Sequence, residues 1–141
     1  MIYLATDHRG FELKEKIKQW LSDWHYEFQD FGAFEYNKDA DYPNFVHKAA
    51  QKVSEAPENS KAIIRGGSGQ GEAMVANRYK GVRASVYYGG DAEWVIKTTR
   101  EHNDANVLSL GTSFLTDDEA QKSIKLGLDT PFSGEERHKR R

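Results

Sequence analysis

The stretch IIRGGSGQGEAMVAN, Ile63 to Asn77, decides how the rest of the chain is read. Its apolar opening suits a buried strand running from Lys61 to Arg65, and Gly66, Gly67, Gly69 and Gly71 follow directly. Glycines so placed let the backbone come close to a bound ligand. The spacing then predicts a helix from Gly71 to Tyr79, whose first N–H groups form an anion or oxyanion site. Neither standard nucleotide motif is present. The G-x-G-x-G order follows a third strand rather than a first, and the Lys of a phosphate-binding loop is missing. A plain tight turn is the competing reading of these glycines.

Working outward, Ile2 to Thr6 read as a buried strand, and Leu13, Ile17, Trp20, Leu21 and Trp24 recur at helical spacing. A helix is therefore expected from Gly10 to about Trp24, then a strand from Tyr26 to Phe31 stopped by Gly32. A polar stretch from Glu35 to Asp41 leads to Pro43, which suits a first helical turn. Phe45, Val46, Ala49, Ala50 and Val53 give that helix its apolar stripe, and Pro57 to Ser60 form a loop. Beyond the glycine turn, Val82 to Tyr88 read as a strand, and Asp91 caps a helix through about Glu101. Asn106 to Leu110 read as the fifth strand. Thr116 caps a last helix with an acidic start, Asp117-Asp118-Glu119, ending near Gly127.

This alternation predicts an α/β fold, a three-layer Rossmann-like sandwich around a five-stranded parallel sheet with right-handed crossovers. No repeat or linker interrupts it, so residues 1–141 read as one domain, with 130–141 a basic C-terminal tail. Ligands in such sheets bind beyond the carboxyl ends of the strands, near the point where strand order reverses. That rule singles out Asp7-His8, Gly66 to Glu72, Tyr88 to Asp91, and Gly111 to Ser113.

Composition narrows the function classes. The absence of Cys excludes disulfides, thiolate metal sites, iron–sulfur clusters and a cysteine nucleophile, and is consistent with a reducing cytosol. No segment approaches the roughly 20 apolar residues of a membrane span. MIYLATDH opens as a strand with no signal core before it, which predicts a cytoplasmic protein. A net charge of −2 gives no global field toward nucleic acid or membrane. The expected partner is a small molecule.

Glu72 follows the last glycine, where a carboxylate can face a ligand held over the loop. Carboxylates move protons between adjacent carbons when their pKa is tuned toward working pH. The helix start would lower the Glu72 pKa and burial would raise it, and sequence leaves that contest open. An acidic first-turn residue serving the helix dipole is the plainer alternative. Asp7 and His8, ending the first strand, could supply an acid or base and an anion-facing imidazole, with Asp7 alternatively a helix cap. His102, near a helix C-terminus, either acts on a ligand or complements the dipole. Asn77, Asn103, Asp104 and Asn106 read as turn formers, His25 and His47 as surface residues, and the Arg137 to Arg141 cluster RHKRR as a solvated end. No spacing of His, Asp or Glu resembles a metal site.

Taken together, ATDHRG, DYP at Asp41 to Pro43, GGSGQGEAMVAN, GVRA at Gly81 to Ala84, REHNDANVLSLG and ERHKRR resemble the B-type ribose-5-phosphate isomerases, a family that includes galactose-6-phosphate isomerase subunits. The motifs fall in the same order over nearly the whole chain. One branch of that family carries a Cys base where this chain has Gly66; the other uses a Glu after the loop, as Glu72 stands here.

The resemblance implies a cofactor-free and metal-free interconversion of ribose 5-phosphate and ribulose 5-phosphate, in the non-oxidative pentose phosphate pathway. Asp7 and His102 would open the sugar ring, and Glu72 would carry a proton between C2 and C1 through an enediolate. Backbone N–H groups around Gly67, Gly69 and Gly71, with the Ser68 hydroxyl, would stabilise the oxyanion. Asn103 would hold sugar hydroxyls, while His8, Arg137 and Arg141, assisted by His138, would bind phosphate. Sites of this kind lie between protomers, which implies a homodimer or a dimer of dimers.

Two departures stand out. The family usually has an Arg after the fifth strand, where this chain reads GTS and places Ser113. Arg9 is a candidate to supply that charge. A six-carbon substrate such as allose or galactose 6-phosphate is the alternative this opens. A non-catalytic sugar-phosphate binding module is a third reading, because fold alone does not fix function.

Overall fold

A computed structural model describes residues 1–7, 10–35, 39 and 41–141. The expectations placed on His8 and Arg9 lie outside the described residues. Strand β1 (Ile2–Thr6) leads to helix α1 (Phe11–Asp23), then β2 (Phe28–Asp30), α2 (Pro43–Glu55) and β3 (Lys61–Gly66). Helix α3 (Gln70–Ala76), β4 (Ala84–Tyr87), α4 (Ala92–Glu101) and β5 (Val107–Gly111) follow. A 3-10 turn (Thr112–Phe114), α5 (Asp117–Asp129) and α6 (Glu136–Lys139) close the chain.

The five strands are all parallel, in the order β2-β1-β3-β5-β4. Alternation along each strand sends side chains to two separate cores. Ile2, Leu4, Ile63 and Leu110 pack under Ile17 and Leu21 of α1, Ile96 of α4 and Ile124 of α5. Ala5, Ala62, Ile64 and Val107 pack under Val46, Ala49 and Val53 of α2 and Ala76 of α3. Each Val, Leu and Ile side chain among these contributes about 1.5–3 kcal/mol on burial, so the central strands anchor both helical layers. From β1 the chain crosses to β2 on one side, and from β3 it runs to the β5–β4 side. The reversal point lies between the carboxyl ends of β1 and β3.

The expected caps form. Asp91 accepts a hydrogen bond from the Trp94 N–H, and Thr116 and Glu119 make a reciprocal capping box. Several boundaries differ from the expectation. β2 is shorter than Tyr26 to Phe31, because the Tyr26 N–H is taken by the Leu21 carbonyl at the end of α1. α3 starts at Gln70 and stops at Ala76, where the chain turns through Tyr79 N–H to Ala76 O and Val82 N–H to Tyr79 O. Those turns also keep Val82 out of β4. α5 runs past Gly127 to Asp129, since Gly127 faces Ile96 and Leu108 across ordinary packing distance and breaks nothing. No described helix is long and apolar enough to cross a membrane.

Candidate active site

Two groups of polar residues lie at opposite ends of the sheet. The first gathers at the β1–β3 reversal point. Glu72 sits in the first turn of α3 and is only 6% exposed. Its carboxylate folds back over Gly66 and fills the space a Cβ there would need. A glycine at residue 66 is therefore a condition for this placement. Burial pushes the Glu72 pKa above its ordinary value; the nearby Asp7 adds to the rise, while its own backbone N–H and Arg65 oppose it. The contest the sequence leaves open goes to burial. A carboxyl whose pKa is raised by burial is suited to taking up and returning a proton.

Asp7 follows β1, half-buried, and its carbonyl accepts hydrogen bonds from Thr6 Oγ1 (3.1 Å) and the Gly10 N–H (3.2 Å). Gly10 is the N-cap residue of α1, so the first described turn of that helix begins without a side-chain cap of its own. The glycine loop is shaped by its neighbours. Gly69 adopts φ 76°, a left-handed conformation that glycine accepts freely, and its carbonyl accepts from Ser109 Oγ at 2.6 Å. The Ser113 N–H donates to the Gly67 carbonyl at 3.0 Å, and Gly111 packs against Ser68 and Tyr88. Ser68 is exposed, its hydroxyl accepting from the Gln70 N–H at 3.3 Å. The Tyr42 hydroxyl lies directly over Gly71.

The second group forms at the amino end of β4. His102 closes α4, Asn103 follows it, and both are exposed. Asp104 turns the chain with φ 49° and is gripped by Arg83 (3.0 Å) and Arg100 (2.9 Å). Arg100 is buried and also donates to the carbonyls of Ala105 and Thr130, tying the turn to the tail. The tail is not a loose end. The Ser133 N–H donates to the Glu101 carbonyl, and α6 seats a buried His138 against His102 with ring centroids 4.2 Å apart. His138 Nδ1 lies 2.7 Å from Ser133 Oγ. Burial, then the neighbouring His102, hold the His138 pKa below its ordinary value, with Arg137 and Arg141 lowering it further and Glu135 opposing them.

His102, Asn103, His138 and Arg141 line one groove of about 720 Å³ together with Arg83 and Lys139. Arg137 is exposed and pairs with Glu135 at 2.7 Å. His25 is exposed as expected, but His47 is half-buried, its Nδ1 2.7 Å from the Tyr79 hydroxyl. Among the described residues, no three His, Cys, Asp or Glu side chains cluster as a metal site.

At ~3.3 Å per residue the length of β3 separates the two groups by roughly 20 Å. Within one chain, Asp7 and Glu72 therefore do not meet His102, Asn103 and Arg141. Two residues at the first group escaped the sequence reading. Tyr42 lies inside the quoted Asp-Tyr-Pro, and Arg65 is a cation directly after the apolar run Ala62 to Ile64 of a central strand, which is the signal for it.

The chain matches the ribose/galactose isomerase family over residues 2–141. It is 38% identical to ribose-5-phosphate isomerase B of Mycolicibacterium paratuberculosis, over 99% of this chain and 86% of that one. Against the Mycobacterium tuberculosis protein of that name, identity is 37% over 99% and 84% of the two chains. Among solved structures, ribose-5-phosphate isomerase B of Mycoplasma genitalium with bound ribulose-5-phosphate superposes with a TM-score of 0.92. Identity there is 34%, covering 99% of this chain and 89% of the other. The Clostridium thermocellum enzyme gives a TM-score of 0.88 at 34% identity, over 99% and 90%.

Proposed function

Because this chain belongs to the ribose/galactose isomerase family, we propose that it interconverts ribose 5-phosphate and ribulose 5-phosphate through an enediolate, a step of the pentose phosphate pathway. The observation that carries this reading is the Glu72 carboxylate, buried over Gly66 beside Asp7 at the reversal point of the sheet. As the carboxylate, Glu72 takes the proton from C2 of the open aldose and leaves an enediolate with its charge on O1. Glu72 then returns the proton to C1, while a proton passes from O2 to O1 and the ketose forms. The loop N–H groups at Gly67, Gly69 and Gly71, with the Ser68 hydroxyl, stabilise the developing oxyanion. No step calls for a cofactor or a metal.

The separation of the two groups supports a site shared between copies of this chain. Asp7, Glu72 and the glycine loop of one copy face His102 and Asn103 of a second, in a homodimer with two equivalent sites. Asp7 and the second copy's His102 open the sugar ring, one protonating the ring oxygen and the other taking the anomeric hydroxyl proton. Asn103 holds sugar hydroxyls. Arg141, already in the groove with His102 and His138, binds phosphate, and His138 fixes the tail that presents it. Arg137 joins by exchanging Glu135 for the phosphate, a charge-assisted bond of the same kind. On this reading residues 1–141 form one catalytic domain and 130–141 complete a neighbour's site.

Ser113 favours a second reading. It is exposed and uncharged where the family usually has an Arg, so the phosphate contacts differ from those expected for a five-carbon substrate. Measuring kcat/KM over five- and six-carbon aldose phosphates decides between the two. The proposal expects ribose 5-phosphate to lead by about tenfold or more, the discrimination that one extra carbon allows. A six-carbon preference would replace the substrate, and no turnover of any sugar phosphate would remove the catalytic reading.

A further inference from the structure

Arg65 is the last residue but one of β3 and only 8% exposed. Taking a guanidinium this far out of water is costly, and an apolar side chain of similar volume would serve packing as well or better. Its surroundings show what holds it there. Nε donates to Thr112 Oγ1 at 3.1 Å, Nη2 donates to the same hydroxyl, and Nη1 reaches Thr6 Oγ1 at 3.5 Å. Gly10 leaves the guanidinium its space, since a Cβ there would collide with Nη1. One side chain thus bridges the ends of the three central strands: β1 through Thr6, β3 through its own backbone and β5 through Thr112.

The bridge continues into the catalytic loop. The Thr112 hydroxyl donates to the Gly66 carbonyl at 3.2 Å, and the next residue, Ser113, donates its N–H to the Gly67 carbonyl at 3.0 Å. Gly66 is the residue over which the Glu72 carboxylate lies. Burial weighs against the Arg65 charge, while Asp7 and Glu72 act in its favour. Among the described residues, Asp7, Glu72 and Arg65 act on one another here, from the ends of β1 and β3 and the start of α3.

We propose that Arg65 is a positioning residue, a buried cation that locks Gly66 and Gly67 through Thr112 beneath the Glu72 carboxylate and offsets part of the negative charge gathered there. It touches no reacting atom. The inference rests on the isomerase reading only for its kinetic consequence; the electrostatic part concerns the unliganded protein.

The test compares Arg65→Met and Arg65→Lys with the wild type. Carbon-13 NMR of Glu-labelled protein follows the Glu72 carboxyl, assigned by its loss in Glu72→Gln, alongside kcat and KM from about pH 5 to 9. In Arg65→Met the Glu72 midpoint and the acid limb of kcat move together to higher pH. kcat falls by about 10- to 100-fold with KM within about threefold, as expected when a base loses its placement. Arg65→Lys returns the midpoint toward wild type without restoring kcat, because an ammonium lacks the planar fork. Should the Met variant not fold, Arg65→Gln carries the same comparison. An unmoved Glu72 midpoint overturns the inference whatever happens to kcat. A moved midpoint in a protein that isomerises no sugar phosphate upholds it and defeats the isomerase reading instead.

Discussion

The Glu72 carboxylate occupies the volume that a side-chain carbon on Gly66 would need. The two positions are therefore coupled: the base reaches its place only because the strand ends in a residue with no Cβ. Gly66→Ala forces the carboxylate away from the loop. A displacement of about 1 Å costs on the order of 100-fold in rate, so kcat falls by that scale. Overpacking at a buried site also costs about 1–3 kcal/mol of stability. Steady-state kinetics with thermal unfolding checks both, and a Gly66→Ala enzyme with wild-type kcat would show that Glu72 does not act from this position.

The roughly 20 Å between the two groups, set by ~3.3 Å per strand residue, makes complementation a direct probe of the shared site. Glu72→Gln and His102→Ala should each be inactive alone. Unfolded and refolded together, half of the dimers carry both chains, and each of these has one intact site. The mixture recovers about a quarter of wild-type activity, as symmetry of an isologous dimer dictates. A mixture no more active than its parts would place the whole site in one chain.

Much of this arrangement is readable from residues alone. The glycine loop, Asp91, Thr116 and the acidic start of α5 announce their roles through local chemistry, and each forms as expected. Strand order is not local. It depends on which crossovers bury the most apolar surface, and the chain pattern of Ile63 or Val107 is the same in any order. The boundaries of β2 and β4 move because turn hydrogen bonds at Tyr26 and Val82 claim backbone groups that periodicity assigns to strands. The tail reads as a charged solvated end, yet His138 and the Ser133 N–H dock it on α4, a long-range contact its own composition does not reveal. Glu72 is visible as a candidate, but whether burial or the helix start governs it requires the fold.

That outcome has a consequence for stability. The Glu72 pKa is raised in the folded protein, so the fold holds this proton more tightly than the unfolded chain does. The stabilisation is complete below the unfolded carboxyl range and is lost as pH rises through the folded pKa. Glu72→Gln, permanently neutral, should match the wild type in Tm near about pH 4 and exceed it by a few degrees near about pH 8. Thermal melts across pH measure the difference. A gap that does not widen with pH would mean that burial does not penalise the charge.

The stacked His102 and His138 give the tail an opposite dependence. The His138 pKa is lowered in the fold, which favours the neutral ring, so docking is present above the ordinary imidazole range and weakens as pH falls through the folded value. Hydrogen exchange in residues 131–141, corrected for intrinsic rates, should accelerate below about pH 6 in the wild type. In His138→Phe, which keeps a ring but cannot titrate, the acceleration should shrink markedly. Equal profiles for the two proteins would show that the tail does not respond to His138.

Proton transfer by Glu72 is tested most directly by isomerisation in deuterium oxide, wild type beside Glu72→Gln. The wild type should convert ribose 5-phosphate to ribulose 5-phosphate with solvent deuterium entering C1, the mark of a proton held and exchanged on the enzyme. Glu72→Gln should lower both turnover and deuterium entry by about 1000-fold or more, the scale of removing a general base that also bears the transferred proton. A Glu72→Gln enzyme that still isomerises and exchanges at near wild-type rate would contradict the account, because the base would then lie elsewhere.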